Sequence, residues 1–418
     1  MEPRIFAGPP AAGGPESLAD HAARLGLVPR GSAAEATIPV IEASGLLGRG
    51  GAGFPVGRKW RSVAGQAGGA PAVLVNGAEG EPLSSKDRTL MRLRPHLVLD
   101  GALLAADAVG ADRIAIYVGS AHRDARDSIE RALVERRDIR LPVQLFAAPA
   151  TYVAGEESAA VHFVNAADAR PTVTPPRPYE RGIDGRPTLV QNVESLANAA
   201  LIARFGDAWY RGVGRSSTPG SALVTVSGSD RDGVREIEIG TPIGELAEVA
   251  GAGRDPRDRQ AVLLGGYFGG WVSAERGWGL PLDPVELRDA GSAFGAGVVA
   301  FLGHDRCGVR ATARIMDYMA GQSAAQCGPC VFGLRAIADA TAGLANGTAA
   351  RDDLARIERW SQQLAGRGAC RHPDGAVGQL LSSLRVFGSE WEIHQRRRTC
   401  SREGFRSFAV PVVREKVA

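Results

Sequence analysis

The chain has 418 residues, of which 44% are hydrophobic and 23% charged, with a formal net charge of +3. That length exceeds what one hydrophobic core supports and predicts two to four domains. So small a charge gives no footing for nucleic acid. No apolar stretch is long enough to span a bilayer, and no basic start leads into an apolar signal segment, so a cytoplasmic protein is expected.

Residues 1–45 form a Pro/Gly/Ala-rich lead that is expected to be extended. From 46 to 217 the pattern alternates between strands and helices. Ala72–Asn76, Arg113–Val118 and Val143–Ala148 read as buried strands, Leu97–Val109 and His122–Arg136 as helices, and another helix starts near Gly155. Strand–helix–strand order implies parallel pairing through right-handed crossovers. Residues 168–187 are rich in proline and read as a long loop, of a length that inside a domain marks function or disorder. Residues 218–302 change texture. ALVTVSG followed by VREIEIGTPIGELAEVAG predicts a strand pair, then a short helix, in a small β-rich domain. Residues 303–418 read as helical, with Val309–Met319, Pro329–Leu344, Arg351–Leu364 and Ala376–Phe387 forming a terminal bundle. The run Arg396-Arg397-Arg398 reads as a solvated or partner-facing tail.

Five segments carry chemistry. GRGGAGFPVGRKW (48–60) places glycines at Gly48, Gly50, Gly51 and Gly53, leaving a bare backbone able to turn its N–H groups toward an anion. It contains Lys59, one of only three lysines, with Lys86 and Lys416. Where arginine serves nearly everywhere else, a compact ammonium has a specific job. NGAEGEPLSSKDR (76–88) follows a strand, so Asn76, Glu79, Glu81 and Lys86 lie at the carboxyl edge of a sheet, where open α/β sheets bind ligands. YVAGEES (152–158) sets Glu156 and Glu157 at a helix start, as ligand contacts or as simple caps. PTLVQNVESL (187–196) offers Asn192 to a ligand or to a helix cap. Cys327-Gly-Pro-Cys330 is joined by Cys370. In a reducing compartment, cysteines of this kind are thiols or metal ligands rather than disulfides.

In their order and spacing, these five segments resemble the flavoprotein subunit of respiratory complex I and the related flavoprotein subunits of NAD-linked hydrogenases and formate dehydrogenases. The resemblance covers about residues 40–390. It implies an α/β fold with a Rossmann-like FMN-binding domain over 46–217. A β-grasp, soluble-ligand-binding domain over 218–302 and a C-terminal four-helix iron–sulfur bundle over 303–418 would follow. By the same resemblance, Gly48, Arg49, Gly50, Gly51 and Lys59 would hold FMN from one side, with Asn76 and Glu79 at its ring or ribityl edge. Tyr152, Gly155 and Glu156 would close another side, and Gln191 and Asn192 would sit near the phosphate. Lys59, Glu79 and Glu156 are the residues it assigns to the chemistry. Phe54 would stack on NADH or NADPH, Glu81 and Glu157 would contact that nucleotide, and Cys327, Cys330 and Cys370 would ligate a 4Fe-4S or 3Fe-4S cluster. A small iron–sulfur protein or ferredoxin is the implied partner.

The sequence departs from the family at three places. The first cysteine of the cluster triplet is replaced by Ala324, leaving Cys307 or Cys400 as thiols for a fourth position, neither at the expected spacing. Aromatic rings of the nucleotide pocket are missing after Trp60, where Arg61, Ser62 and Val63 follow. They are also missing in the proline loop, which carries Thr174 and Arg177. Arg177 would stack on adenine, pair with a 2′-phosphate, or be an ordinary loop arginine. Ala78 stands where the family has a flavin-contacting acid, which makes NGAEGEP similar to the electron-entry subunit of Rnf-type complexes; the ferredoxin-type cysteine runs of that subunit are absent here. The leading expectation is an FMN-dependent oxidoreductase that accepts a hydride from NADH or NADPH at flavin N5. It would pass electrons to an iron–sulfur centre and a protein partner. The alternatives are an FMN enzyme acting on a specialised small molecule with electrons from ferredoxin, and a non-catalytic subunit of a redox complex.

Overall fold

A computed structural model describes residues 2–26, 28, 34–398 and 400. The chain divides into two compact units, one of residues 1–80, 84–224 and 234–240, the other of residues 81–83, 225–233 and 241–418. Lys416 lies outside the described residues.

The first unit is built on four parallel strands: β1 (Ala72–Gly77), β2 (Arg113–Gly119), β3 (Val143–Ala148) and β4 (Thr188–Asn192), in the order β3-β2-β1-β4. Ala72, Val73, Leu74 and Val75 are fully buried, as a parallel sheet covered on both faces requires. The three expected strands form where their apolar runs lie. β4 is an addition inside PTLVQNVESL. Its four consecutive buried residues, Thr188–Gln191, are too short and too uniform to show a period. Because the chain leaves β1 toward β2 on one side and meets β4 on the other, the carboxyl ends of β1 and β4 flank a topological switch point. There Asn76 is the register partner of Asn192. The helix Pro95–Val109 starts with proline and ends at Gly110 (φ 70°), and the helix Val193–Arg211 is capped by Asn192.

The expectation of an extended lead is corrected over much of its length, since Leu18–Leu25 and Ala34–Ser44 are helices. Ser17 caps the first of these, and the helix carries His21 into the core. His21 Nε2 lies 2.7 Å from Asp100 Oδ2, Arg136 reaches Asp100 Oδ1 at 2.6 Å, and Arg204 binds the same carboxylate. Glu16 joins through His21 and Arg24. No apolar periodicity announces this polar knot, and only the fold assembles it.

A five-stranded sheet has the order β6-β5-β9-β7-β8, from β5 (Ser221–Ser227), β6 (Gly233–Glu238), β7 (Ala261–Leu264), β8 (Gly270–Ser273) and β9 (Val298–Leu302). β5 begins in the first unit and ends in the second, and most of β6 belongs to the first. β5 and β9 run parallel, while β7 is antiparallel to both β8 and β9. Helices follow at Gly308–Gly321, Arg335–Asn346, Asp353–Leu364, His372–Val386 and Gly388–Arg397. Pro329–Leu334, expected as α-helix, is a π-helical turn. The arginine run is solvated, as expected, but is no tail: Arg396 and Arg397 close the last helix, with Arg396 paired to Glu392 at 3.2 Å. Among the described residues, no helix is long and apolar enough to cross a membrane.

Burial opposes ionisation of Asp100, yet the hydrogen bond from His21 and the charges of Arg136 and Arg204 hold its carboxyl at about 2. A carboxylate depressed in the folded state stabilises above the ordinary range near 4, and that contribution is lost as pH falls toward 2. His21 is raised, with burial outweighed by Asp100 and Glu16, so its contribution is present below its ordinary 6.5 and is lost as pH rises through the raised value. Asp100→Asn removes the carboxylate shared by His21, Arg136 and Arg204, leaving His21 with Glu16 and Arg136 with Asp138, and is expected to lower unfolding free energy by about 3 kcal/mol, with a shallower acid limb. Urea denaturation between pH 3 and 8 measures both.

Candidate functional site

The glycine loop is a tight hairpin. Gly48 N–H donates to Phe54 O at 2.9 Å and Val56 N–H to Leu46 O at 3.0 Å. Gly51 (φ 107°) and Gly53 (φ 65°) adopt left-handed backbone, which a side chain would strain. A Cβ added at Gly50 would lie 3.4 Å from Asn192 Cβ, so the loop rests against the end of β4, while one added at Gly53 would meet nothing within 4 Å. The hairpin therefore presents open, bare backbone beside the switch point. Phe54, next along, is 51% exposed.

The loop is held from beneath by buried charges. Arg49 donates its backbone N–H to Ser195 Oγ at 2.9 Å, and its guanidinium reaches Tyr210 Oη at 3.1 Å and Ser221 O at 3.0 Å. Glu194, fully buried in the first turn of the helix Val193–Arg211, accepts from Leu223 N–H at 2.8 Å and stands 3.7 Å from Arg49 Nε. Its other oxygen lies 2.8 Å from Lys86 Nζ, which also contacts Asp87 at 2.6 Å. Burial alone would discharge Lys86, but the carboxylates of Asp87 and Glu194 outweigh it and raise its pKa, so the ammonium stays charged. Asn192 joins the two halves: Oδ1 accepts from Glu194 N–H at 3.0 Å and Nδ2 donates to Asp87 Oδ2 at 2.7 Å.

The segment after β1 is equally constrained. Asn76 Nδ2 donates to Gly155 O at 2.9 Å. Gly80 has no room for a side chain, since its Cβ would stand 2.6 Å from Tyr152 O. Glu79 holds φ 45°, strained for a residue with a side chain, and accepts from Ser84 Oγ (2.8 Å), Asp87 N–H (2.9 Å) and Arg88 N–H (3.1 Å). Burial and the neighbouring Asp87 push its carboxyl up. Glu156 caps the helix Glu157–Ala166, its Oε2 accepting from Ser158 N–H (2.9 Å) and Ala159 N–H (3.0 Å). Gln191 is buried and accepts from Trp60 Nε1 at 3.3 Å. At the rim, Lys59 Nζ lies 2.8 Å from Glu157 Oε2, with Arg177 at 4.0 Å from the other oxygen.

In the first unit, contacts thus link Gly48–Phe54, Asn76, Glu79, Tyr152, Gly155, Gln191 and Asn192 around the β1/β4 ends, with Lys59 and Glu157 paired to each other. Glu81 belongs to the second unit, where it is buried and accepts from Tyr267 N–H at 2.9 Å. There too Cys330 has Cys327, Cys370 and Ser323 as neighbours; burial pushes its thiol up to about 12 against the hydrogen bond from Ser323. Cys307 and Cys400 are gathered elsewhere in that unit, with Glu390 and His394, and not around Cys330. As a test of fit, the first unit offers an open glycine cradle beside an exposed aromatic ring, with polar groups at the strand ends, as a flavin nucleotide needs. The second offers three thiols and a hydroxyl, a donor set suited to iron.

The Nuo51 FMN-binding domain matches residues 41–201, and the NADH-ubiquinone oxidoreductase-F iron–sulfur binding region matches residues 310–394. One of the NADH-quinone oxidoreductase F-subunits of Rhizobium meliloti (strain 1021) is 30% identical over 376 residues, covering 87% of this chain and 89% of that one. The chain belongs to the NADH-quinone oxidoreductase F-subunit family. It carries that family's FMN-binding domain and its iron–sulfur binding region. The HndC component of an NADP-reducing hydrogenase of Solidesulfovibrio fructosivorans is 26% identical over 404 residues, 92% of this chain and 82% of that one. The structure of an NAD+-reducing [NiFe]-hydrogenase in the H2-reduced state superposes with a TM-score of 0.78 at 29% identity. This chain covers 63% of that hydrogenase chain, and 88% of its own length is matched.

Sequence reasoning singled out Lys86 by its rarity but missed its partner Glu194, along with Asp87, Ser195 and Tyr210. Glu194 had one signal, an acid in the turn after Asn192, which reads equally as a dipole complement. Glu194→Ala leaves Lys86 and Arg49 buried without their shared carboxylate and is expected to cost about 3–5 kcal/mol of stability. Lys59→Ala breaks a part-exposed pair and is expected to cost about 1 kcal/mol or less. Parallel denaturant titrations compare the two.

Proposed function

We propose that this F-subunit relative is the nucleotide-oxidising flavoprotein of a redox assembly, taking reducing equivalents from NADH or NADPH and delivering them to an iron–sulfur centre and a protein partner. The observation that carries the reading is the open glycine hairpin braced against the β1/β4 switch point within a matched FMN-binding domain. When bound, FMN accepts a hydride and releases electrons singly. The chain's residues divide that work. Backbone of Gly48–Gly51 would line the flavin, with Asn76 and Glu79 at its edge, Tyr152, Gly155 and Glu156 on another side, and Gln191 and Asn192 near the phosphate. Lys59 would set a positive charge near the ring. Phe54, half exposed, would stack on the nicotinamide nucleotide, with Glu157 at its polar groups. Glu81, buried and accepting from Tyr267 N–H, would contact the same nucleotide.

The same reading divides the chain into a lead (1–45), an FMN domain (46–217), a β-grasp domain (218–302) and an iron–sulfur bundle (303–418). Supporting the β-grasp are the strand order, the parallel β5/β9 pair and the helix Ile243–Ala250 after the first two strands. Supporting the bundle are cross-helix bonds such as Thr312 Oγ1 to Ser383 Oγ (2.7 Å) and His372 Nε2 to Met319 O (2.7 Å). Cys327, Cys330 and Cys370 would ligate the cluster, with Ser323 as the oxygen donor beside Cys330 where Ala324 provides none. Val331 and Phe332, 41% and 76% exposed beside Cys330, give an apolar face for a small iron–sulfur protein or ferredoxin. Reduced thiols and a nicotinamide donor accord with a cytoplasmic location.

A second reading, an FMN enzyme fed by ferredoxin and acting on a specialised small molecule, is favoured by the missing aromatic rings near Ser62 and at Arg177. Anaerobically purified protein is expected to be yellow and to bleach with NADH or NADPH. Yellow protein that bleaches with neither supports the second reading, and colourless protein points to a non-catalytic subunit. Ala324→Cys is expected to raise iron per chain and alter its paramagnetic resonance signal, and Ser323→Ala to lower iron per chain. Unchanged iron and signal in both would reject the ligand assignment.

A further inference from the structure

We propose a second metal site in this chain, in which Cys307, Glu390, His394 and Cys400 hold one divalent ion of the zinc type, separate from the iron–sulfur ligands. One donor atom from each of the four lies within 4.8 Å of the others. Donors bound about 2.0–2.3 Å from one ion in a tetrahedron stand about 3.3–3.8 Å apart, so an inward movement of about 1 Å by the more distant donors completes the sphere.

The local structure prepares each ligand. Cys307 caps the helix Gly308–Gly321, and its Sγ accepts from Arg310 N–H at 3.4 Å, which fixes the sulfur at the start of that helix. Glu390 and His394 stand one turn apart on the helix Gly388–Arg397, so they share a face. Cys400 follows that helix. His394 Nδ1 lies 2.9 Å from Leu344 O, and a carbonyl only accepts, so the proton resides on Nδ1. Nε2 is left with its lone pair toward the cluster, 3.4 Å from Cys307 Sγ, in the arrangement by which metal-binding histidines are oriented.

An independent observation comes from Glu390. It is 8% exposed, and both of its carboxylate oxygens are buried, facing the Cys307 thiol and no nitrogen or oxygen donor. A buried carboxylate with only a weak thiol donor beside it is costly and needs an explanation, and a cation bound among two thiolates and an imidazole supplies one. Two sulfurs, one nitrogen and one oxygen suit zinc, and four protein ligands leave no open position, so the ion is structural. It would tie the last helix and the segment after it to the start of the helix Gly308–Gly321.

Metal analysis of the full-length protein tests this. Wild type is expected to carry about one zinc per chain in addition to iron. Cys307→Ala and His394→Ala should each lower zinc about tenfold or more while FMN content stays unchanged. A variant with Cys327, Cys330 and Cys370 all changed to Ala should lose iron and keep zinc. Should the ligand variants fail to fold, wild-type protein stripped with chelator and titrated with Co2+ should develop the visible bands of tetrahedral thiolate–cobalt, saturating at one equivalent. Zinc absent and unrestored by added Zn2+ or Co2+ would overturn the proposal. So would zinc that disappears with the Cys327/Cys330/Cys370 variant but not with Cys307→Ala, or a Cys307–Cys400 disulfide found by peptide mapping of the native protein.

Discussion

A single buried carboxylate, Glu194, governs the geometry of the candidate flavin site. It faces Lys86 on one side and Arg49 on the other, and it accepts the N–H of Leu223. Through Arg49 it bears on the glycine hairpin, through Lys86 and Asp87 on the segment after β1, and through Leu223 on the start of β5. Charges this deeply buried persist only when mutually compensated. Their compensation fixes where the bare loop lies relative to the ends of β1 and β4.

Most of the polar groups assigned to the flavin already bind the protein itself. Asn192 caps a helix and holds Asp87, Glu156 caps a helix, Glu79 binds three donors of its own loop, and Gln191 holds Trp60. Such saturation gives a site whose shape exists before the ligand arrives, which lowers the ordering cost of binding. The rim differs. Phe54 is half exposed and Lys59, Glu157 and Arg177 form a part-exposed charge cluster, the kind of adaptable edge suited to a nucleotide that comes and goes.

What the sequence disclosed follows from how local each feature is. β1, β2 and β3 were legible because each is a compact apolar run, and the glycine hairpin because its composition is extreme. β4 was hidden by its shortness, and the helices Leu18–Leu25 and Ala34–Ser44 by the proline and glycine around them. For Glu156 and Asn192 the ligand and capping readings were equally open, since one residue type at one spacing serves both; the caps are formed, and the ligand role rests with the proposal. The pairing of Lys86 with Glu194 spans two segments and has no sequence signal. In the sequence Cys307 and Cys400 stand only as spare cluster thiols, because nothing local links them to Glu390 and His394.

The family relationship and the hairpin geometry converge on one claim, that the bare backbone around Gly50 and Gly53 receives FMN. Fluorescence titration of flavin-stripped protein with FMN and with riboflavin tests it most directly. The account predicts saturable quenching at one FMN per chain, with riboflavin binding at least ~10-fold more weakly for want of a phosphate. Folded protein that shows no saturable binding of FMN would contradict it.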